Sequence, residues 1–366
     1  MTYAVPLEMG PLDIGSEFHW DPAALTAGGG DWLPAGGELF ATGCGALTAL
    51  LRHLRLRGRL HIPSYFCMGV AEALSAEIPI AWYRHLPDEG GPRWATLRAR
   101  PGDLVLAQNL FGRDHGEPWN DWIAAHPAVT VVEDHSHDPL STWARSSRAP
   151  FAVASLRKTL PVPDGGLLWS PRGHQVPRPA GGESEGAHLK LAGMLLKAAW
   201  LDGRPVAKDD FRALQQRGEH TLLGDAGPAS AFTAAVLPLL DAAGLRRQGI
   251  DNARALAAEV PVEAGPFRAQ LVCADQNRRD ALLRRLAAHG IYAPVHWRQD
   301  RGGVWSGDDE AADLAARMLT VPVDHRCSAA DVRRIAAVLL AAPETAAPEP
   351  AGAGAARPAP RPAPAA

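Results

Sequence analysis

The feature that most limits what this chain can fold into is a series of short apolar runs, several of them closed by a polar residue, with helical patterns between them. The runs are Leu60–Pro63, Ile78–Tyr83, Asp103–Asn109, Val129–Asp134, Phe151–Ser155 and Gly166–Trp169. Helical periodicity separates them at Ala46–Leu56, Val70–Ala76 and Trp119–Ala125; Leu47, Leu50, Leu51 and Leu54 fall on one stripe of the first. Strands without in-out alternation are buried on both faces, and strands alternating with helices make a mostly parallel sheet. In such sheets ligands bind beyond the carboxyl ends of the strands. Asn109, Asp134 and Ser155 each close a run at such an end.

The later chain changes character. Helices are expected at His188–Trp200, Asp209–Gln216 and Ala229–Val260. Gln270–Leu340 then reads strand, helix, strand, strand, helix, with Ser328 and Asp331 forming a capping box ahead of the last helix. The fold class expected is α/β: a large domain over residues 1–235, with helices flanking a mixed, mostly parallel sheet, and a smaller C-terminal α+β domain over 236–342. Residues 343–366 are Pro/Ala-rich and are expected to be disordered.

Several function classes are disfavoured. The 37 basic and 40 acidic residues leave a formal charge of -3, not the basic excess of a nucleic-acid or anionic-membrane binder. The four cysteines are scattered and form no C-x-x-C pair, which fits a reducing compartment. Neither a signal peptide nor an apolar run of about 18 residues is visible, so a soluble cytoplasmic protein is expected.

Three motifs carry chemistry. Thr42-Gly43-Cys44-Gly45 opens a helix, where free backbone amides and the dipole attract an anion such as phosphate. Glu133-Asp134-His135-Ser136-His137-Asp138 follows a buried strand, and a buried acid there needs a cationic partner; a protonated pyridine nitrogen is one. A metal is the rival, because His135 and His137 share a face if the segment stays extended. Ser155-Leu156-Arg157-Lys158 ends another strand, and a desolvated lysine suits Schiff-base chemistry.

Taken together, the helix-opening glycine loop, the strand-end Asp134 and Lys158 resemble the fold-type-I enzymes that use pyridoxal 5'-phosphate (PLP), and more narrowly the DegT/StrS aminotransferases. The resemblance runs from about Leu39 to Leu340. It implies PLP bound to Lys158 as a Schiff base, with Asp134 on the pyridine nitrogen and His137 facing the ring oxygen. Gly43, Cys44, Gly45 and Ser155 fall at the phosphate, and Pro63-Ser64-Tyr65-Phe66-Cys67 matches the segment that stacks on the ring. By count the stacking position is Cys67, with Phe66 beside it. The segments Arg246–Asn252, Gly290–Trp297 and Leu319–His325 resemble a helix start and two late strands of the small domain. The opening near Met9–Trp20 and the Thr159–Asp164 loop depart from the family pattern.

The activity implied is transfer of an amino group from an amino-acid donor to a keto acceptor, such as a keto-sugar or a specialised-metabolite intermediate, by a homodimer. No metal is implied. Arg157, His296 and Arg298 are candidates for a substrate carboxylate or phosphate. The same scaffold also carries PLP-dependent lyase, aldolase, substitution and cyclisation reactions.

Overall fold

The computed structural model describes residues 12–26, 31–299 and 304–341. The Pro/Ala-rich stretch 343–366 and the start of the chain through Pro11 lie outside the described residues.

Seven strands make the central sheet: β1 (Glu38–Phe40), β2 (Leu60–Pro63), β3 (Ile80–Tyr83), β4 (Leu104–Gln108), β5 (Thr130–Asp134), β6 (Phe151–Ser155) and β7 (Gly166–Trp169). Their order across the sheet is β1-β7-β6-β5-β4-β2-β3. Strands β2 to β6 run parallel, while β7 runs against both β6 and β1. Every residue of β4 and β6 is buried, as their unbroken apolar sequence requires. Register places Gln108 opposite Asp134 and Asp134 opposite Val153, so β4, β5 and β6 finish close together.

Helices cover the sheet as the alternation predicts: α1 (Gly43–Leu54), α2 (Met68–Ser75) and α3 (Glu117–Ala125). Helix α1 buries Leu47, Leu50 and Leu51 against β2, β4 and β6. It begins three residues ahead of the expected start at Ala46 because Thr42 caps it, accepting the Gly45 N–H at 2.9 Å.

Two long helices follow, α4 (Glu185–Leu201) and α5 (Lys208–Leu222). They pack with backbones almost touching. A Cβ on Gly186 would lie 2.7 Å from the Gly218 carbonyl oxygen, and one on Gly193 would lie 2.8 Å from the Gln215 side chain.

The single helix expected over 229–260 is broken in two. Ala231–Val236 gives way to a 3-10 turn, Leu237–Leu239, and α6 starts afresh at Ala242–Ala257. Pro238 supplies no N–H to continue the first helix, and Asp241 caps the second by accepting from the Gly244 N–H.

Beyond α6, strands β8 (Glu263–Ala264), β9 (Arg268–Val272) and β10 (Met318–Pro322) form an antiparallel sheet. It is accompanied by α7 (Gln276–Ala288), α8 (Asp309–Arg317) and α9 (Ala329–Leu340). Ala253, Leu256, Leu286, Leu319, Val321 and Ile335 are buried together there with Ile14. Helix α8 was not expected, and only Ile291–Tyr292 of the late segment 290–297 is a strand. That pair lies parallel to Ile14–Gly15, so the early chain is stitched to the late one.

The capping box is present: the Ser328 side chain accepts the Asp331 N–H, and the Asp331 carboxylate accepts the Ser328 N–H. Ser328→Ala is expected to lower stability by about 1 kcal/mol, read as a lower urea midpoint with an unchanged slope.

Candidate active site

The strand ends are locked to one another by hydrogen bonds. The Asp134 carboxylate accepts the Ser136 N–H at 2.9 Å, a local turn that stops β5. Ser136 Oγ in turn accepts the Ser155 N–H at 2.9 Å, joining the ends of β5 and β6. The Asn109 N–H donates to the Asp134 carbonyl at 3.0 Å. Ser155 faces the start of α1, where a Cβ on Gly43 would sit 3.0 Å from the Ser155 Cβ. Only a residue without a side chain allows so close an approach. The Gly43 and Cys44 amides lie in the first turn and have no acceptor within their own helix. The amide of Gly45 does not join them, because Thr42 Oγ1 takes it.

The turn at Asp134 also separates the two histidines. His135 Nε2 lies 3.0 Å from Glu133, and its ring packs near Trp143 and Trp169. His137 points elsewhere, stacking on Phe111 (ring centres 5.1 Å apart) and on Trp297 (5.4 Å). The shared face expected of an extended segment is therefore absent. Among the described residues no group of three or more His, Cys, Asp or Glu could hold a metal.

His137 is tuned as a donor. Burial, reinforced by Arg268 and Lys158, holds its pKa well below the usual histidine value, so the ring is neutral. The Phe111 N–H donates to Nδ1 at 2.9 Å, which leaves the ring proton on Nε2. That Nε2 is buried and has no partner among the described residues. Asp138, one residue on, is fully buried and held by both arms of Arg246, at 2.7–3.0 Å.

Lys158 ends the one-turn helix Leu156–Lys158 that follows β6. Its Nζ forms no ion pair among the described residues and lies 5.9 Å from the centre of the Trp297 ring. Trp297 had no role in the sequence reading, yet it meets Tyr65, Phe66, Phe111 and His137. The Tyr65 hydroxyl, whose pKa burial pushes up, donates to the His296 carbonyl and fixes this corner. Phe66 is buried, and Cys67 sits at the start of α2.

A cavity of about 620 Å³ opens on one side of Lys158. Arg157 and His296 line it; Asp134, His137, Ser155 and the Gly43–Gly45 loop do not. Arg157 is paired with Glu219 at 2.8 Å, and Glu219 also takes Lys190 at 2.6 Å. Burial raises the Glu219 carboxyl, but Arg157 and Lys190 outweigh it and hold it at about 2. His296 Nδ1 lies 2.7 Å from Thr320 Oγ1, which itself donates to the Pro294 carbonyl, so His296 donates and its Nε2 is left as an acceptor. Arg298 is not brought to this cavity. It is exposed and lines a second one of about 580 Å³ with Cys67 and Trp297.

No family model and no curated protein matches the sequence. Solved structures do. CalS13, a sugar aminotransferase from Micromonospora echinospora, superposes with a TM-score of 0.53 at 16% identity, over 83% of this chain and 86% of that one. A DegT DnrJ EryC1 StrS aminotransferase from Brucella abortus gives 0.52 at 17%, over 83% and 84%. DesI, solved in the presence of its TDP-sugar product, gives 0.55 at 17%, over 83% and 79%. The chain has the fold of these aminotransferases. The fold-type-I architecture expected from the resemblance, with its mixed, mostly parallel sheet flanked by helices, is thus the one observed.

The fold also carries an acid-sensitive ion pair on the cavity wall. Burial pushes the Asp324 carboxyl up, but Arg326, bonded to both its oxygens at 2.8 Å, holds it well below its ordinary value of 3.8. A carboxylate lowered on folding stabilises the folded chain above its ordinary range. That stability begins to fall as the pH drops into this range and is lost fully only as it falls through the lowered folded-state value. The stability gap between the wild type and Asp324→Asn is expected to shrink from about pH 5 to about pH 3, measured by urea unfolding. A gap that stays constant with pH would contradict the assignment.

Proposed function

We propose that the chain is a PLP-dependent aminotransferase that passes an amino group from an amino-acid donor to a keto acceptor. The observation that carries this reading is the Lys158 amine, which forms no ion pair among the described residues, set just past Ser155 and the Gly43 approach, with a buried His137 Nε2–H that finds no acceptor among those residues. Those groups fit PLP. Gly43, Cys44 and Ser155 offer amides and a hydroxyl to a phosphate, His137 a proton to the ring oxygen, and Asp134 a carboxylate to the ring nitrogen. When bound, the cofactor supplies an electron sink for the substrate carbon.

The protein's own part is proton handling and placement. The Lys158 amine holds the cofactor at rest and, once released, removes and returns the proton at the substrate carbon. The Asp134 carboxylate keeps the opposing ring nitrogen protonated, and its own orientation is set by the Ser136 N–H. Trp297, packed on Tyr65 and Phe66, shields one side of the Lys158 amine from water. The names of the structural neighbours favour a sugar-linked keto acceptor. A homodimer belongs to the same proposal and is checked by sedimentation. Among the described residues no helix is long and apolar enough to cross a membrane.

The test is spectroscopic. Protein mixed with PLP is expected to show the absorbance of lysine-bound cofactor, and an amino-acid donor is expected to convert it to the pyridoxamine form. Failure to take up PLP would overturn the proposal. Uptake with no pyridoxamine from any donor would leave the cofactor standing and turn the reaction to one of the other PLP chemistries.

A further inference from the structure

The rings that meet beside Lys158 are unequal in what they leave open. Tyr65, Phe66, Phe111 and His137 are all buried. Phe66 is enclosed in the core under α1 with Leu50, Ile62 and Met68, and Tyr65 and Phe111 are packed with Leu110, Leu314 and Met318. Phe111 and His137 lie flat on each other, their planes 9° apart. His296 stands edge-on to Trp297 at 82°, is tied to Thr320, and lines the cavity of about 620 Å³. Trp297 differs from all of these. It is partly exposed, it touches Tyr65, Phe66, Phe111 and His137, and the Lys158 Nζ lies 5.9 Å from its centre.

A planar ring carried by the Lys158 amine needs a flat apolar face within reach of that amine. Indole offers the broadest one, and its electron-rich face suits a ring bearing positive charge. The segment 63–67, where a stacking ring is expected, offers none. Pro63, Ser64 and Cys67 carry no aromatic ring, and Tyr65 and Phe66 are closed in by their packing. Cys67, the stacking position by count, lines the cavity of about 580 Å³ together with Trp297. The broad ring therefore shares a cavity with the position that lacks one.

Resting on the reading of Lys158 as the cofactor's lysine, we infer that Trp297 holds the cofactor ring in place of a residue of 63–67. Lys158, His137 and Ser155 belong to the ends of the central sheet, whereas Trp297 follows the Ile291–Tyr292 strand late in the chain. The cofactor ring thus joins the strand ends to that late segment.

The probe is 4'-deoxypyridoxine phosphate, which has the ring and the phosphate of PLP but no aldehyde, so it cannot bond to a lysine. It is titrated calorimetrically into the full chain, with inorganic phosphate as the competitor that lacks the ring. Trp297→Leu is expected to bind the ring compound roughly 3- to 10-fold more weakly than the wild type. Trp297→Phe restores a flat face and is expected to stay within about threefold of the wild type. The affinity for phosphate is expected to be the same in all three. Equal affinity of the wild type and Trp297→Leu for the ring compound overturns the inference. So does an equal fall in phosphate affinity, which would place Trp297 in the framework and not on the ring. If Trp297→Leu does not fold, the wild type decides by hydroxyl-radical oxidation. Oxidation of Trp297 is expected to fall when the ring compound binds, while that of Trp305, which is 53% exposed, is expected to hold. No protection of Trp297 overturns the inference. If the ring compound binds by way of Trp297 but borohydride fixes no PLP to Lys158, the assignment of Trp297 stands and the reading of Lys158 falls.

Discussion

Lys158→Ala is expected to leave no cofactor that borohydride can fix to the chain, and to slow amino transfer by at least ~10²–10⁴-fold, the usual contribution of a positioned proton-transfer group. Both effects come from one nitrogen. Loss of the covalent link and loss of the base cannot be separated by this variant, so two readouts are needed. Mass spectrometry after reduction should find PLP on the peptide carrying Lys158 in the wild type and on none in the variant. Single-turnover conversion of added pyridoxamine phosphate and a keto acid reports the proton transfer without requiring a resting link. The backbone of residue 158 accepts a bond from Arg268, which the substitution leaves in place, so the fold is expected to survive. A variant that kept more than about a tenth of the wild-type rate would place the chemistry elsewhere.

Gly45→Ala is expected to destabilise the chain and to weaken cofactor binding. A Cβ at Gly45 would overlap the Asp225 carbonyl oxygen and lie 2.7 Å from the Ala226 Cα. Both are backbone atoms, so no side-chain rotation relieves the clash. The Asp225 carbonyl also accepts the Thr42 hydroxyl at 3.0 Å, and Thr42 caps α1. One methyl therefore pushes on the loop that presents the Gly43 and Cys44 amides. A cost of about 1–3 kcal/mol is the usual range for overpacking, and unyielding backbone places this site at its upper end. PLP affinity should fall by more than about tenfold, because a displaced anion site loses charge-assisted hydrogen bonds of about 1.5–3 kcal/mol each. Gly69→Ala in α2 is the control: nothing lies within 4 Å of its added methyl. Equal stability of the two variants in urea would refute the account.

The groups at the strand ends were legible because burial leaves a plain pattern. Val131 and Val132, or Phe151 to Ala154, have no polar alternation, so Asp134 and Ser155 stand out as the places where each run stops. Boundaries set by local rules are also written in the letters: the Ser328–Asp331 box is one, and Pro238 is a visible break inside the single helix expected over 229–260. Orientation was less accessible. Whether His135 and His137 face together depends on the Asp134–Ser136 turn, whose geometry the letters alone do not impose. Arg268 carried no signal, and Tyr65 and Trp297 none beyond that of the segments they lie in. Each acquires its role from a neighbour far along the chain: Arg268 touches Lys158 across 110 residues, and Tyr65 touches His296 across 231. Such contacts depend on the finished packing.

The parallel pairing of Ile14–Gly15 with Ile291–Tyr292 has a bearing on how the molecule comes into being. Asp13, Ser16 and Glu17 are also gripped by Lys197 and, through the Ser16 and Glu17 carbonyls, by Arg326. On a ribosome the early segment emerges long before either partner exists. It must wait while the central sheet forms and nearly 300 further residues are made. Contacts of such separation are slow to close. The wall of the cavity beside Lys158 is thus completed late, well after residue 158 itself has been made.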